Sequence, residues 1–356
     1  MRTDWLLPIL REHPSYEERD VIKTLFQALF GNGHLLGDED AVTRRIADEM
    51  DAAGPCRGEP LWEDVGGWIR IGLRPARDLG ISPAWIARMM LLPRMSATAD
   101  RTALPDALAA ASLPDRFDAD RLAALARELV DDPERLPSHS EACRLAEAPS
   151  YRLVHAAWQP LLPVLRAVAA AERRPCLITV DGRCGSGKST LAEALQAVLR
   201  CGFVHMDDFY TPHAQKTPER LAIPGGNCDI DRVTDEIVTP FTAGLPVALR
   251  RYDCQTREFV DFGTLPPEDM LILEGSYSEL PPIREKAAVR VFLEIGPEDQ
   301  LSRIRRRNAP ESVRGFIERW IPLEEAYFSA YSLPDAGCVR VDAASLRLHE
   351  ILSKGG

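Results

Sequence analysis

No apolar run in the 356-residue sequence approaches the ~20 residues that a membrane-spanning helix needs, so no membrane partner is expected. C-x-x-C pairs and the Cys/His spacing of a zinc site are absent. The eight cysteines (56, 143, 176, 184, 201, 228, 254 and 338) are scattered, the pattern of buried, reduced thiols. There is no G-x-G-x-x-G dinucleotide fingerprint. Basic residues are in deficit: 43 Lys and Arg stand against 54 Asp and Glu, a net charge of -11. No overall field attracts nucleic acid, and a polyanionic ligand has to be met by a local arginine cluster. The opening M-R-T-D-W-L-L-P-I-L-R-E has too short an apolar core and too early an acid for a secretory signal, so a cytoplasmic location is expected.

What remains is the composition of a globular protein, 45% hydrophobic and 27% charged, with length enough for two domains. A homo-oligomer is compatible with it.

The stretch that organises the chain is C-L-I-T-V-D-G-R-C-G-S-G-K-S-T at 176–190. An apolar, β-rich run leads into G-x-x-x-x-G-K-[ST], and Leu191, Leu195, Val198 and Leu199 then recur at helical spacing. Strand, glycine loop and helix in that order are the context a P-loop (Walker A) requires. Gly182, Gly185 and Gly187 allow bare backbone to approach phosphate, with Cys184 and Ser186 between them. Lys188 can reach the β- and γ-phosphates of ATP. The Ser189 hydroxyl is a candidate Mg²⁺ ligand, and Thr190 completes the helix start.

Upstream, from residue 5 to about 135, the periodicity is helical with almost no alternation. Helices are expected over 4–12, 16–30, 39–51, 83–92, 101–111 and 119–130, with N-caps at Ser15 and Ser82. The glycine-rich run F-G-N-G-H-L-L-G-D at 30–38 reads as a helix connector with a capping glycine. No nucleophile, metal set or carboxylate pair stands out in this half. A Pro- and Ser-rich connector at 131–150 and a helix over 151–171 complete it. The expected division is a helical accessory domain over 1–150, a connecting helix over 151–172 and a P-loop domain over 173–356.

Downstream, G-F-V-H-M-D-D-F-Y is an apolar strand ending in acids. Asp207 is the candidate base toward a hydroxyl, or a magnesium ligand. M-L-I-L-E-G places Glu274 at another strand end, where an acid serves the metal. Further strands at 289–295 and 338–342 alternate with helices and form no hairpin, which argues a parallel α/β sheet followed by a short C-terminal helix. Arg303, Arg306 and Arg307 share one face of a helix over 298–308 and suit closure over transferring phosphates, with Arg314 just beyond. The stretch R-W-I-P-L-E-E-A-Y-F reads as a helix with Pro322 in its first turn.

Residues from about 175 to 342 resemble the uridine kinase/phosphoribulokinase group of P-loop kinases. The motifs that carry the resemblance are D-G-R-C-G-S-G-K-S-T, M-D-D-F-Y, N-C-D, R-Y-D and L-E-G, in the family's order. The resemblance implies that Asp207 acts as base toward a 5′-hydroxyl, that Tyr210 and Tyr252 lie near the nucleoside, and that Asp229 holds the ribose hydroxyls. It also implies that Glu274 serves the magnesium site. Those kinases follow the Tyr-Asp pair with a histidine and then an arginine. This sequence has Y-D-C-Q-T-R-E-F, with Arg257 near the histidine's place. The function expected is a Mg·ATP-dependent phosphotransferase acting on a small-molecule hydroxyl, most simply that of a nucleoside. Another hydroxylated metabolite, or a nucleotide-switched interaction module, is the alternative.

Overall fold

The computed structural model describes residues 3–32, 37–92, 100–253 and 256–348. They divide into two units, one running to Gln159 and the other from Pro160 onward.

In the first unit the helical pattern becomes α1 (Leu6–Glu12), α2 (Glu18–Phe30) and α3 (Glu39–Ala52). After two strands, β1 (Trp62–Asp64) and β2 (Trp68–Gly72), follow α4 (Leu73–Asp78), α5 (Pro83–Leu91), α6 (Ala103–Ala109), α7 (Ala119–Asp131) and α8 (Glu141–Glu147). Val21 and Leu25 of α2 are fully buried against Leu104, Leu122 and Leu129, each such side chain contributing about 1.5–3 kcal/mol. Ser82 caps α5 as expected, its hydroxyl accepting from Ala84 N–H. The expected cap at Ser15 is corrected to Glu17, which forms a capping box with Asp20. The Ser15 hydroxyl donates to Glu147 instead. Of the 30–38 run, Gly31 caps α2 in a positive-φ conformation, and residues 33–36 lie outside the described ones.

A second correction concerns residues 151–155. They form β3 (Tyr151–His155), which pairs antiparallel with β2 from Gly72↔Tyr151 to Trp68↔His155. Sequence periodicity is local, whereas β2 and β3 find each other across some eighty residues. The helix expected there begins only as α9 (Leu162–Ala170), in the second unit. Pairing also buries Arg70, which is 3% exposed and donates to Tyr16, Thr24, Gln27 and Glu63. The same folding gathers Asp20, His139 and Cys143, whose ligand atoms lie within 4.8 Å of one another although Asp20 and His139 are 119 positions apart. Asp20 there accepts from His139 and from the Glu17 and Ser140 amides, so the cluster is satisfied within the fold.

His13 bridges two carboxylates, Glu63 and Glu147, each at 2.6 Å. Burial pulls its pKa down, but the two carboxylates outweigh that and leave it above the ordinary 6.5. The bridge therefore adds stability that is complete below that ordinary value and is lost as pH rises through the raised one. Thermal melts of wild type and His13→Gln should differ most below pH 6 and converge toward pH 9. A gap independent of pH would show that His13 acts by packing alone.

The second unit is built on a five-stranded parallel sheet. Its elements are β4 (Cys176–Gly182), α10 (Lys188–Leu199) and β5 (Gly202–His205), then the short helices α11 (Pro218–Ala222), α12 (Ile230–Arg232) and α13 (Thr239–Thr242). There follow β6 (Val247–Asp253), β7 (Glu258–Leu265), β8 (Met270–Glu274), α14 (Pro281–Arg284) and β9 (Val289–Glu294). The last are α15 (Pro297–Arg307), α16 (Pro310–Gly315), α17 (Ile321–Tyr331) and β10 (Val339–Asp342). The sheet order is β10-β9-β4-β8-β5. Every residue of β4 is buried, as a central parallel strand covered on both faces must be.

β6 and β7 pair as an antiparallel ribbon, which corrects the expectation of no hairpin. β7 is exposed along most of its length, so it lacks the apolar alternation that marks a hairpin strand. After β10 the described chain continues only as a 3₁₀ turn at Ala343–Ser345, and residues from 349 lie outside it.

Candidate active site

The sheet order places the carboxyl ends of β4, β8 and β5 side by side, where ligands of open α/β sheets bind. In register, Val180 lies opposite Glu274, and Glu274 opposite His205. Three sequence-distant groups thus share one edge: the glycine loop after β4, Glu274 at the end of β8, and the Met206–Phe209 turn after β5.

The loop is held open by its glycines. Gly182 has φ +138°, and Gly187, which starts α10, has φ +100°. Lys188 Nζ donates to the carbonyls of Gly182 (2.7 Å) and Arg183 (3.2 Å), lying along the loop it would neutralise around. Behind it Asp181 is fully buried; burial pushes its carboxyl up to about 7, against the pull of Lys188. The Ser189 hydroxyl donates to Glu274 at 3.1 Å, and His205 Nδ1 lies 2.9 Å from the other Glu274 oxygen. That hydrogen bond raises the His205 pKa. The donor set of Ser189 with a buried carboxylate behind it fits an octahedral magnesium ion that keeps most of its waters.

A cavity of about 430 Å³ opens here, and its wall includes Cys184, Gly185, Lys188, Ser189, Asp207, Tyr210, Glu274 and Arg307. Gly182, Ser186, Gly187 and Thr190 complete the loop and helix start without forming part of that wall. Asp207 is exposed, and Tyr210 O–H donates to its Oδ1 at 2.8 Å. Burial, then Asp207, raises the Tyr210 pKa, so the phenol stays a donor. Burial and Glu324 push the Cys184 thiol up to about 12, which makes it a weak nucleophile.

The arginine face of α15 divides. Gln300, Arg303 and Ile304 face the loop: Gln300 donates to the Cys184 carbonyl, and Ile304 packs where a side chain at Gly185 would point. Arg303 donates to the carbonyls of Gly185, Ser186 and Ala343, so it braces the loop from outside the cavity wall. Arg306 is exposed and outside that wall, which leaves Arg307 in it. Arg314 pairs with Glu318 on the surface.

The residues expected around a nucleoside are also redistributed. Asp229 caps α12, accepting from Arg232 N–H. Tyr252 is buried against Phe259 and accepts from His213 N–H, and Arg257 is exposed in the β6–β7 turn. None of the three forms part of the cavity wall, and Cys254 and Gln255 lie outside the described residues. The wall contains instead Lys216, Asn227, Ser276, Tyr277, Trp320 and Glu324. Asn227 stands in the N-C-D motif and Ser276 follows L-E-G, so both were within reach of the sequence. Trp320 and Glu324 stand in the R-W-I-P-L-E-E-A-Y-F stretch, but only the packing of the Phe316–Trp320 turn and of α17 after it brings them to the cavity.

Parallel strands, a P-loop after the central one and a Ser189–Glu274 contact across its neighbour define an α/β fold of the P-loop class. No protein-family model matches the chain, and no curated protein matches it. Solved structures similar to it include a possible uridine kinase from Bacillus stearothermophilus, 22% identical with a TM-score of 0.39, covering 47% of this chain and 88% of that one. A provisionally named fructose transport system kinase from Silicibacter sp. TM1040 is 21% identical at 0.35, covering 55% and 94%. D-glycerate 3-kinase from Cryptococcus neoformans var. grubii is 16% identical at 0.38, covering 53% and 94%. Among the described residues no helix is long and apolar enough to cross a membrane.

Proposed function

We propose that this protein is a Mg·ATP-dependent kinase that phosphorylates a hydroxyl group of a small molecule. The observation that carries the reading is one cavity wall holding Lys188 and Ser189 of the phosphate loop together with Asp207. Loop amides and Lys188 would hold the β- and γ-phosphates, and Ser189 with Glu274 would hold magnesium. Bound magnesium supplies charge neutralisation at the phosphate oxygens. Asp207, oriented by Tyr210, takes the proton of the attacking hydroxyl, and Arg307 faces the charge that develops. Phosphoryl transfer asks little more of a protein than this positioning and electrostatics.

A nucleoside 5′-hydroxyl is the first acceptor to test. The placement of Asp229, Tyr252 and Arg257 outside the cavity wall favours a second reading, a different hydroxylated metabolite. ADP release with Mg·ATP should be measured alone and with nucleosides, sugars, polyols, amino alcohols and hydroxy acids, the product being checked by mass. Acceptor-dependent turnover is expected. Slow hydrolysis indifferent to every acceptor would replace the kinase by a nucleotide-switched module.

A further inference from the structure

The stretch R-W-I-P-L-E-E-A-Y-F runs from the Phe316–Trp320 turn into α17, and it brings a carboxylate to the phosphate loop. Glu324 is 5% exposed, yet part of the cavity wall. One of its oxygens accepts from Cys184 N–H at 3.0 Å and the other from Ser276 O–H at 2.6 Å. Both donors are neutral. The adjacent Arg183 gives both its Nε–H and an Nη–H to Glu325 instead, at 2.6 and 3.0 Å. Among the described residues no cation lies within ion-pair distance of Glu324, although the Arg183 charge acts on it from beside Glu325.

A carboxylate taken out of water is costly unless paired, and its two oxygens can accept more bonds than the two they receive here. Its surroundings say what the missing partner is. Cys184 belongs to the first half of the loop, whereas Lys188 and Ser189, which serve phosphate and metal, open the helix after it. Tyr210, bonded to Asp207, lines the same cavity as Glu324. The acceptor side of the cavity thus carries two carboxylates, Asp207 and Glu324, with Tyr277 and Trp320 in the same wall and the Lys216 ammonium 5.3 Å from the Tyr210 ring centroid.

We propose that Glu324 determines acceptor specificity, selecting molecules with a second hydrogen-bond donor, hydroxyl or ammonium, beside the reacting hydroxyl. This rests on the kinase reading above. Asp207 serves the reacting hydroxyl and Glu324 the neighbouring donor.

The test is steady-state kinetics of wild type, Glu324→Gln and Glu324→Asp, with neutral polyols, nucleosides, amino alcohols and hydroxy acids as acceptors. For the best acceptor, Glu324→Gln should raise KM about 10- to 100-fold, with kcat and the KM for ATP within about threefold, as fits loss of a hydrogen bond to a charged group. Glu324→Asp should recover part of the loss. Preference for polyols or nucleosides identifies the donor as hydroxyl; preference for amino alcohols identifies it as ammonium. An unchanged acceptor KM, or a raised KM for ATP in its place, overturns the proposal and leaves the kinase standing. If Mg·ATP binds but no acceptor stimulates ADP release, the kinase reading fails and this proposal falls with it.

Discussion

Asp207→Asn is expected to lower kcat by roughly 10²–10⁴, with the affinity for Mg·ATP retained. The turn that carries Asp207 is pinned by Met206 and Phe209, both almost fully buried, so the side chain's position depends little on its own charge. An asparagine oxygen can still accept the Tyr210 hydroxyl bond, so the substitution keeps the geometry and removes only the capacity to take a proton. Calorimetric titration with a nonhydrolysable ATP analogue, beside turnover with the best acceptor, separates binding from chemistry. Unchanged turnover would remove Asp207 from the role of base.

Gly182→Ala is expected to cost about 3 kcal/mol or more, which in a unit of this size lowers Tm by roughly 6–12 °C. Two causes act together. The φ of +138° is a conformation that L side chains rarely adopt, and an added Cβ would lie 2.4 Å from the Leu293 carbonyl oxygen. That oxygen belongs to β9, which pairs with the end of β4, so the strain cannot be relieved by a side chain moving aside. Because Lys188 also bonds the Gly182 carbonyl, nucleotide affinity should fall with stability. A variant with wild-type Tm would mean that the strand ends separate easily, contrary to the close contact of β4 and β9.

Local chemistry made the P-loop legible in the sequence. A glycine pattern between an apolar run and a helical one leaves the backbone few choices, and the β5 and β8 strand ends could be read from apolar runs that stop at acids. Most first-unit helices were legible for the same reason, since a stripe at 3.6-residue spacing such as Val21 and Leu25 is recorded within one turn. The antiparallel sheet was not, because β2 finds β3 only through long-range pairing, and the buried Arg70 is satisfied by side chains from α2 and β1.

The same distinction runs through the candidate site. By itself, the sequence determined that a phosphate loop, two strand-end acids and an arginine-rich helix exist. Tertiary structure alone decided which of them meet. Arg303 was drawn onto loop carbonyls, because packing Ile304 against Gly185 turns that side of α15 inward. Glu324 was brought to the Cys184 amide by the packing of α17, a contact spanning 140 positions that no local pattern records. Residue type and spacing specify what a segment can do, but which side chains share a cavity depends on strand order and helix packing, which only the folded chain contains.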